Sequence, residues 1–135
     1  MKMLRVSKIL CALGSILLLV TAAFHGMGYS NINDAISRSD SSTFLKHAVP
    51  GLWAHFSIHL VVLAAFGLVL AFSPHRARTL IALLALAVVV DAAWAFSLAG
   101  FFMGVALLVA AALCFAFAAL APDNSLKRTA AGRSR

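Results

Sequence analysis

The stretch Leu80-Ile-Ala-Leu-Leu-Ala-Leu-Ala-Val-Val-Val-Asp-Ala-Ala-Trp94 decides the fold class of this chain. It lies in an apolar run from Thr79 to Leu98, and about 20 apolar residues are needed to cross a bilayer as a helix. Its one ionisable residue is Asp91. A charged side chain at the bilayer centre costs roughly 2.5–3.5 kcal/mol on insertion scales, so it normally faces a protein interior and has a partner. Asp91 therefore indicates a helix bundle and is the first candidate functional residue.

Composition places the whole chain in a membrane. Of its 135 residues, 63% are hydrophobic and 11% are charged, whereas a soluble domain has about 25% charged residues. There is no Glu and no Gln, so the chain lacks the residues for a polar shell. The net charge of +7 comes from basic residues that flank apolar segments, and no nucleic-acid motif accompanies them. These features predict an integral membrane protein without a nucleic-acid partner.

Four apolar segments predict four transmembrane helices, at about residues 9–29, 52–72, 79–98 and 101–121. Only helices satisfy their backbone groups within continuous apolar runs of this kind. The short connections predict an all-α, up-down-up-down four-helix transmembrane bundle as one domain over residues 1–121. Close helix approach is expected at the small-residue pairs Ala22/Gly26 and Gly100/Gly104.

Two polar segments complete the chain. Residues 30–51 are predicted to form an outer loop, in which Ser39 to Ser42 cap a short helix over residues 44–48 that Pro50-Gly51 ends. Residues 122–135 are predicted to form a basic cytoplasmic tail.

The basic residues predict the orientation. Nine of the eleven lie on the side of the two termini and of the short loop between the second and third helices, namely Lys2, Arg5, Lys8, Arg76, Arg78, Lys127, Arg128, Arg133 and Arg135. Only Arg38 and Lys46 lie on the other side. The positive-inside rule then places both termini in the cytoplasm. The Ala-rich composition suggests a multi-pass protein of the bacterial cytoplasmic membrane. One alternative stays open, because the N-terminal run up to Val20-Thr21-Ala22 also resembles a cleavable signal peptide.

Three histidines accompany Asp91 in the outer half of the predicted bundle. With a rise of ~1.5 Å per residue, His25 and His55 lie ~5–6 Å below the outer end, and His59 and Asp91 lie ~10–12 Å below it. His55 and His59 are spaced i, i+4 and therefore share a helix face. Trp94 follows Asp91 by one turn and could line a ligand pocket.

This group is compatible with more than one kind of site. Three imidazoles and a carboxylate could bind Zn²⁺ or Cu²⁺, which would make His25, His55, His59 and Asp91 a metal site. Haem between His25 and a histidine of the second helix is the weaker alternative. A proton or a small lipophilic molecule is a further ligand class. The simplest alternative is a structural His59–Asp91 hydrogen bond between two helices, worth about 1 kcal/mol.

Three functions follow as hypotheses. The favoured one is a binding or transfer module with a His/Asp site in the outer half of the bundle. The second is a membrane-embedded enzyme in which Asp91 and His59 act as acid and base on a lipophilic substrate. The third is a non-catalytic subunit of a larger membrane complex. The lipid bilayer is the expected environment, and a membrane-protein partner or a homo-oligomer would suit the small-residue pairs.

Overall fold

The computed structural model describes residues 2–73 and 77–121, and every regular element in these ranges is an α-helix. The helices are α1 (Lys2–Met27), α2 (Tyr29–Ser37), α3 (Thr43–Phe72), α4 (Arg78–Ala99) and α5 (Met103–Leu120). Four helical spans in these ranges are long and apolar enough to cross a membrane: Arg5–Ser37, Thr43–Phe72, Arg78–Ala99 and Met103–Leu120. The predicted fold class of an all-helical membrane protein is confirmed at this level. The predicted tail over residues 122–135 lies outside the described residues.

The region predicted as an outer loop is largely helical. The backbone of Gly28 stays in the right-handed helical region, so α2 continues from α1 after one residue. Ser42 is the N-cap of α3, as the Ser39–Ser42 pattern predicted, and its hydroxyl oxygen accepts a hydrogen bond from the Leu45 amide at 3.4 Å. The predicted end at Pro50-Gly51 is wrong, because α3 continues through Pro50 to Phe72. A proline inside such a helix is tolerated where neighbouring groups compensate for the missing backbone hydrogen bond.

Helices α1 and α5 form the centre of the structure. Helix α1 packs extensively against α3 and α5, and α5 packs against α4, whereas α3 and α4 meet at only a few points. Two hydrogen bonds join the ends of these helices: Ser7 Oγ donates to the Ala118 carbonyl at 2.9 Å, and the Arg78 guanidinium donates to the Ala121 carbonyl at 2.9 Å. The boundary between α3 and α4 is therefore the loosely packed side of the bundle.

The ring of Phe115 fills the contact between three helices. It is 0% exposed, and its carbons lie where side chains at Gly14 of α1 and Gly67 of α3 would be. A Cβ atom at Gly14 would come within 2.9 Å of the ring, and one at Gly67 within 3.0 Å. A Cβ at Gly67 would also collide with the hydroxyl of Ser15, which is buried and donates to the Cys11 carbonyl. Both glycines are thus required by close packing around one aromatic ring.

The connection between α4 and α5 requires a glycine for a different reason. Gly100 has φ +70°, a backbone conformation that side-chain-bearing residues rarely adopt, and its amide donates to the Phe96 carbonyl at 2.8 Å. The tight turn predicted between these helices is therefore present. Gly104 has a local role, because a Cβ atom there would meet the ring of Phe102 and not a neighbouring helix.

We predict that Gly67→Ala destabilises the protein while Gly51→Ala does not. The added methyl at Gly67 meets the Phe115 ring and the Ser15 hydroxyl, and overpacking of this kind costs about 1–3 kcal/mol. Gly51 is the matched control, since it lies in the same helix and a Cβ there meets nothing within 4 Å. Thermal unfolding of the purified variants in detergent measures the difference. Equal midpoints for the two variants would contradict this account of the core.

Candidate functional site

The structure brings His59 and Asp91 together across the boundary between α3 and α4. The Nε2 group of His59 donates to Oδ2 of Asp91 at 3.1 Å. The predicted equal depth of the two residues is what allows this contact. The side chain of Asp91 is 16% exposed and that of His59 is 38% exposed, although both lie within spans that suit a membrane. The pair is thus held between two helices but open on one side.

His25 lies in a second cluster, where α1 meets α3. Its Nδ1 atom and the hydroxyl oxygen of Ser57 are hydrogen-bonded at 2.9 Å. Its imidazole stacks on the indole of Trp53, with ring centroids 4.1 Å apart and an interplanar angle of 16°. The edge contact with Phe56 has a centroid distance of 4.9 Å. His25 therefore joins α1 to α3 and does not contribute to the His59–Asp91 pair.

The backbone reinforces this second cluster. Trp53 Nε1 donates to the carbonyl oxygen of His25 at 2.8 Å, which satisfies a carbonyl near the end of α1. Gly28 leaves room for the indole, because a Cβ atom there would lie 2.9 Å from the Trp53 ring. A Cβ atom at Gly26 would lie 3.7 Å from the Ser57 hydroxyl oxygen, which is an ordinary van der Waals distance. The close approach to α3 therefore requires a glycine at residue 28 but not at residue 26.

Sequence reasoning missed the partners of His25. Trp53 and Ser57 were not among the predicted site residues, because Ser57 points from a different face of the helix than His55 and His59. That different face is the one that meets α1. The spacing of Trp53 and Ser57 could have indicated that both side chains meet the same neighbouring helix, since residues at i and i+4 lie on one helix face.

The other two predicted site residues are exposed. His55 lies one turn from His59 on α3 and makes no hydrogen bond within the described part of the chain. Trp94 lies one turn from Asp91 on α4 and is 65% exposed. In a membrane-spanning helix such exposure means contact with lipid or with a bound molecule. Each of them lies one helical turn from a member of the His59–Asp91 pair.

The four predicted metal ligands do not converge. Among the described residues there is no group of three or more His, Cys, Asp or Glu side chains that could hold a metal ion. Structural zinc sites need four ligands, and catalytic sites usually take three from the protein. The structure instead agrees with the alternative of a single His59–Asp91 hydrogen bond between two helices, while His25 is bonded to Ser57.

A separate apolar groove lies on another face of α4. It has a volume of about 490 Å³ and is lined by Val89, Ala92, Ala93 and Phe96 of α4 and by apolar residues of α5, among them Val105, Ala112 and Ala116. No titratable side chain lines it. The groove is therefore distinct from the His59–Asp91 pair.

Comparisons with models of protein families, with curated proteins and with solved structures find no match for this chain.

We predict that removing one member of the His59–Asp91 pair costs more stability than removing both. His59→Leu leaves the Asp91 carboxylate unpaired, and Asp91→Leu leaves the imidazole unpaired, so each single variant loses about 1–3 kcal/mol. The double variant places two apolar side chains at a contact between membrane helices and recovers most of that loss. A double-mutant cycle on unfolding free energies measures the coupling. The control cycle pairs Asp91→Leu with His55→Leu, and a coupling there as large as in the first cycle would contradict the assignment.

We predict that Trp53→Phe destabilises the protein by about 0.5–1.5 kcal/mol, the size of one hydrogen bond. Phenylalanine can still stack on His25 but cannot donate to its carbonyl oxygen. Trp94→Phe is the control, because the Trp94 side chain is mostly exposed. Unfolding midpoints in the same detergent compare the two variants, and an equal loss in both would count against the Trp53 hydrogen bond.

Proposed function

We propose that this membrane protein is a binding or transfer module whose His59–Asp91 pair holds the polar head of a small lipophilic molecule. The observation that carries the proposal is the partial exposure of a hydrogen-bonded His–Asp pair at a helix boundary inside the membrane-spanning region. An ionisable residue in such a region is by default a functional candidate with a named partner. Here the partner is His59, and the open side leaves room for a third group.

The packing of the helices supports entry from the bilayer. Helix α1 holds α3 and α5 together through extensive contacts, while α3 and α4 meet at few points apart from the His59–Asp91 pair. A pair that served only to join two helices would be expected to be enclosed by their side chains. The sparse packing on this side gives a lipophilic molecule lateral access to the imidazole and the carboxylate.

The chemistry of the pair defines the ligand class. The imidazole supplies a hydrogen-bond donor or acceptor, and the carboxylate accepts hydrogen bonds. A hydroxyl group on an otherwise apolar molecule can donate to the carboxylate and accept from or donate to the imidazole, as in phenols, quinols and sterols. A metal ion has less support as the ligand, because His25 is engaged with Ser57 and Trp53.

The orientation in the membrane belongs to the same proposal. Arg5, Lys8 and Arg78 lie at one end of the helices, and Arg38 and Lys46 lie at the other. With the basic residues at both termini, the positive-inside rule places the termini in the cytoplasm in an up-down-up-down arrangement. The His59–Asp91 pair then lies in the outer half of the bilayer. We propose a bacterial cytoplasmic membrane as the location.

Photolabelling in lipid nanodiscs tests this function. The probe is an alkylphenol with a diazirine in its chain, and the comparison probe is the same alkyl diazirine without the hydroxyl. We predict that the phenol labels α3 and α4 and that the His59→Leu/Asp91→Leu variant reduces this labelling about tenfold, since tenfold corresponds to 1.4 kcal/mol of binding. Asp34→Asn, which changes an exposed acid of α2, should leave the labelling unchanged.

Two results would overturn the proposal. The first is equal phenol labelling of the wild type and of the folded double variant. The second is labelling of the same residues by the probe without a hydroxyl, because that would show partitioning into lipid without recognition of the head.

A further inference from the structure

Three histidines follow one ridge of α3 towards the pair. His47, His55 and His59 are spaced at i, i+8 and i+12, and the intermediate position of the i, i+4 series is Gly51. His47 falls in the predicted outer loop over residues 30–51 and its short helix, but α3 begins at Thr43 and continues past this residue to Phe72. His47 and His55 are exposed and His59 is half-buried, so the imidazoles become more enclosed along the ridge.

The length of α3 places this ridge at the membrane boundary. Its 30 residues extend about 45 Å, whereas the hydrocarbon core is about 30 Å thick. The excess of about ten residues belongs at the polar end, where Lys46 and His47 lie, because residues 60–72 are all apolar. His47 is then in contact with interfacial water, His55 is near the edge of the hydrocarbon, and His59 is one turn deeper.

At the opposite end of α3 and α4, no row of polar side chains on these two helices leads to the His59–Asp91 pair. Residues 60–72 of α3 and 80–90 of α4 contain no polar side chain. The buried hydroxyls of Ser15 and Thr21 on α1 donate to carbonyls of their own helix. A proton that reaches Asp91 along the α3–α4 boundary must therefore come from the side of His55.

We propose that His55 is a proton relay that connects the His59–Asp91 pair to water at the α2 end of the bundle. This proposal rests on the proposed function, because the relay supplies or removes the proton of the bound head group. A proton passes from water to His55 while His55 releases one to His59, and from there it reaches the Asp91 carboxylate or the ligand. Imidazoles at i and i+4 have Cβ atoms about 5–6 Å apart, so one bridging water suffices for the transfer.

Gly51 leaves space on the ridge between His47 and His55. A Cβ atom at this position would meet nothing within 4 Å. The rise from His47 to His55 is about 12 Å, too far for direct transfer, and the open space at Gly51 allows water to fill the interval. The relay thus begins where water reaches His55.

The other titratable groups near the pair are separated from it. His25 of α1 is hydrogen-bonded to Ser57 and stacked on Trp53, and the Phe56 ring centroid lies 4.9 Å from that of His25 and 6.4 Å from that of His59. The nearest ionisable side chain on α5 is Cys114, which is not a carboxylate or an imidazole. On α4 the other charged residue described is Arg78, at the opposite end of the helix.

Rapid-scan infrared spectroscopy after a pH jump tests the relay. The protein is held in lipid nanodiscs, and the carboxyl band of Asp91 is assigned by its absence in Asp91→Asn. We predict that His55→Leu and His55→Gln both slow the response of this band by roughly 100-fold, the lower end of the effect of a positioned proton-transfer group. The control is Trp94→Phe, which alters an exposed aromatic side chain one turn from Asp91 on α4 without removing a titratable group.

The infrared experiment and the phenol labelling test the proton relay and the proposed binding function separately. An Asp91 response in both His55 variants as fast as in the wild type would overturn the relay, whatever the phenol probe shows. Slowing in His55→Leu and in Trp94→Phe alike would also overturn it, because the effect would then come from the shape of the boundary. A slow response in the His55 variants alone supports the relay. Failure of the phenol labelling would overturn the proposed ligand but not the measured proton route.

Discussion

The insertion of Phe115 between Gly14 and Gly67 is the contact on which the arrangement of the helices depends. In lipid there is little hydrophobic driving force between helices, so close packing of complementary shapes holds them together. One ring of α5 fills the space that two glycines leave on α1 and α3. Because α1 and α5 thereby form the centre, α3 and α4 are left as the outer pair with little direct packing between them.

The loose packing between α3 and α4 leaves the His59–Asp91 pair hydrogen-bonded but partly exposed. Both side chains have a partner, which makes an imidazole and a carboxylate tolerable in the membrane-spanning region. The pair nevertheless keeps an open side, which a fully packed helix interface would have closed. The same structural feature underlies both proposals, since a lipophilic head group and a proton need access to the same two side chains.

His25 and His59 belong to two different groups of contacts. His25 is hydrogen-bonded to Ser57 and stacked on Trp53, whereas His59 is hydrogen-bonded to Asp91. Periodicity along α3 could have shown that Trp53 and Ser57 share a face and that His55 and His59 share another. It could not show which face meets α1, because hydrophobic side chains surround every helix of a membrane bundle and leave no amphipathic pattern. The metal site was one of the alternatives that depth left open, and the described residues contain no group of three or more side chains that could hold a metal ion.

Length and apolar composition by themselves determined that this chain has four helices long and apolar enough to span a membrane and that Asp91 needs a partner, because the bilayer imposes both conditions on any sequence. Counting residues along the predicted helices also placed Asp91 at the level of His59. Local signals favoured a loop where the structure has α2 and the start of α3, and only the tertiary structure shows that α3 passes through Pro50 and packs against α2. Asp91 pairs with His59 and not with His25 or His55, and this outcome depended on the rotation of each helix about its axis. That rotation is set by contacts such as Phe115 with Gly14 and Gly67, between residues far apart in the chain.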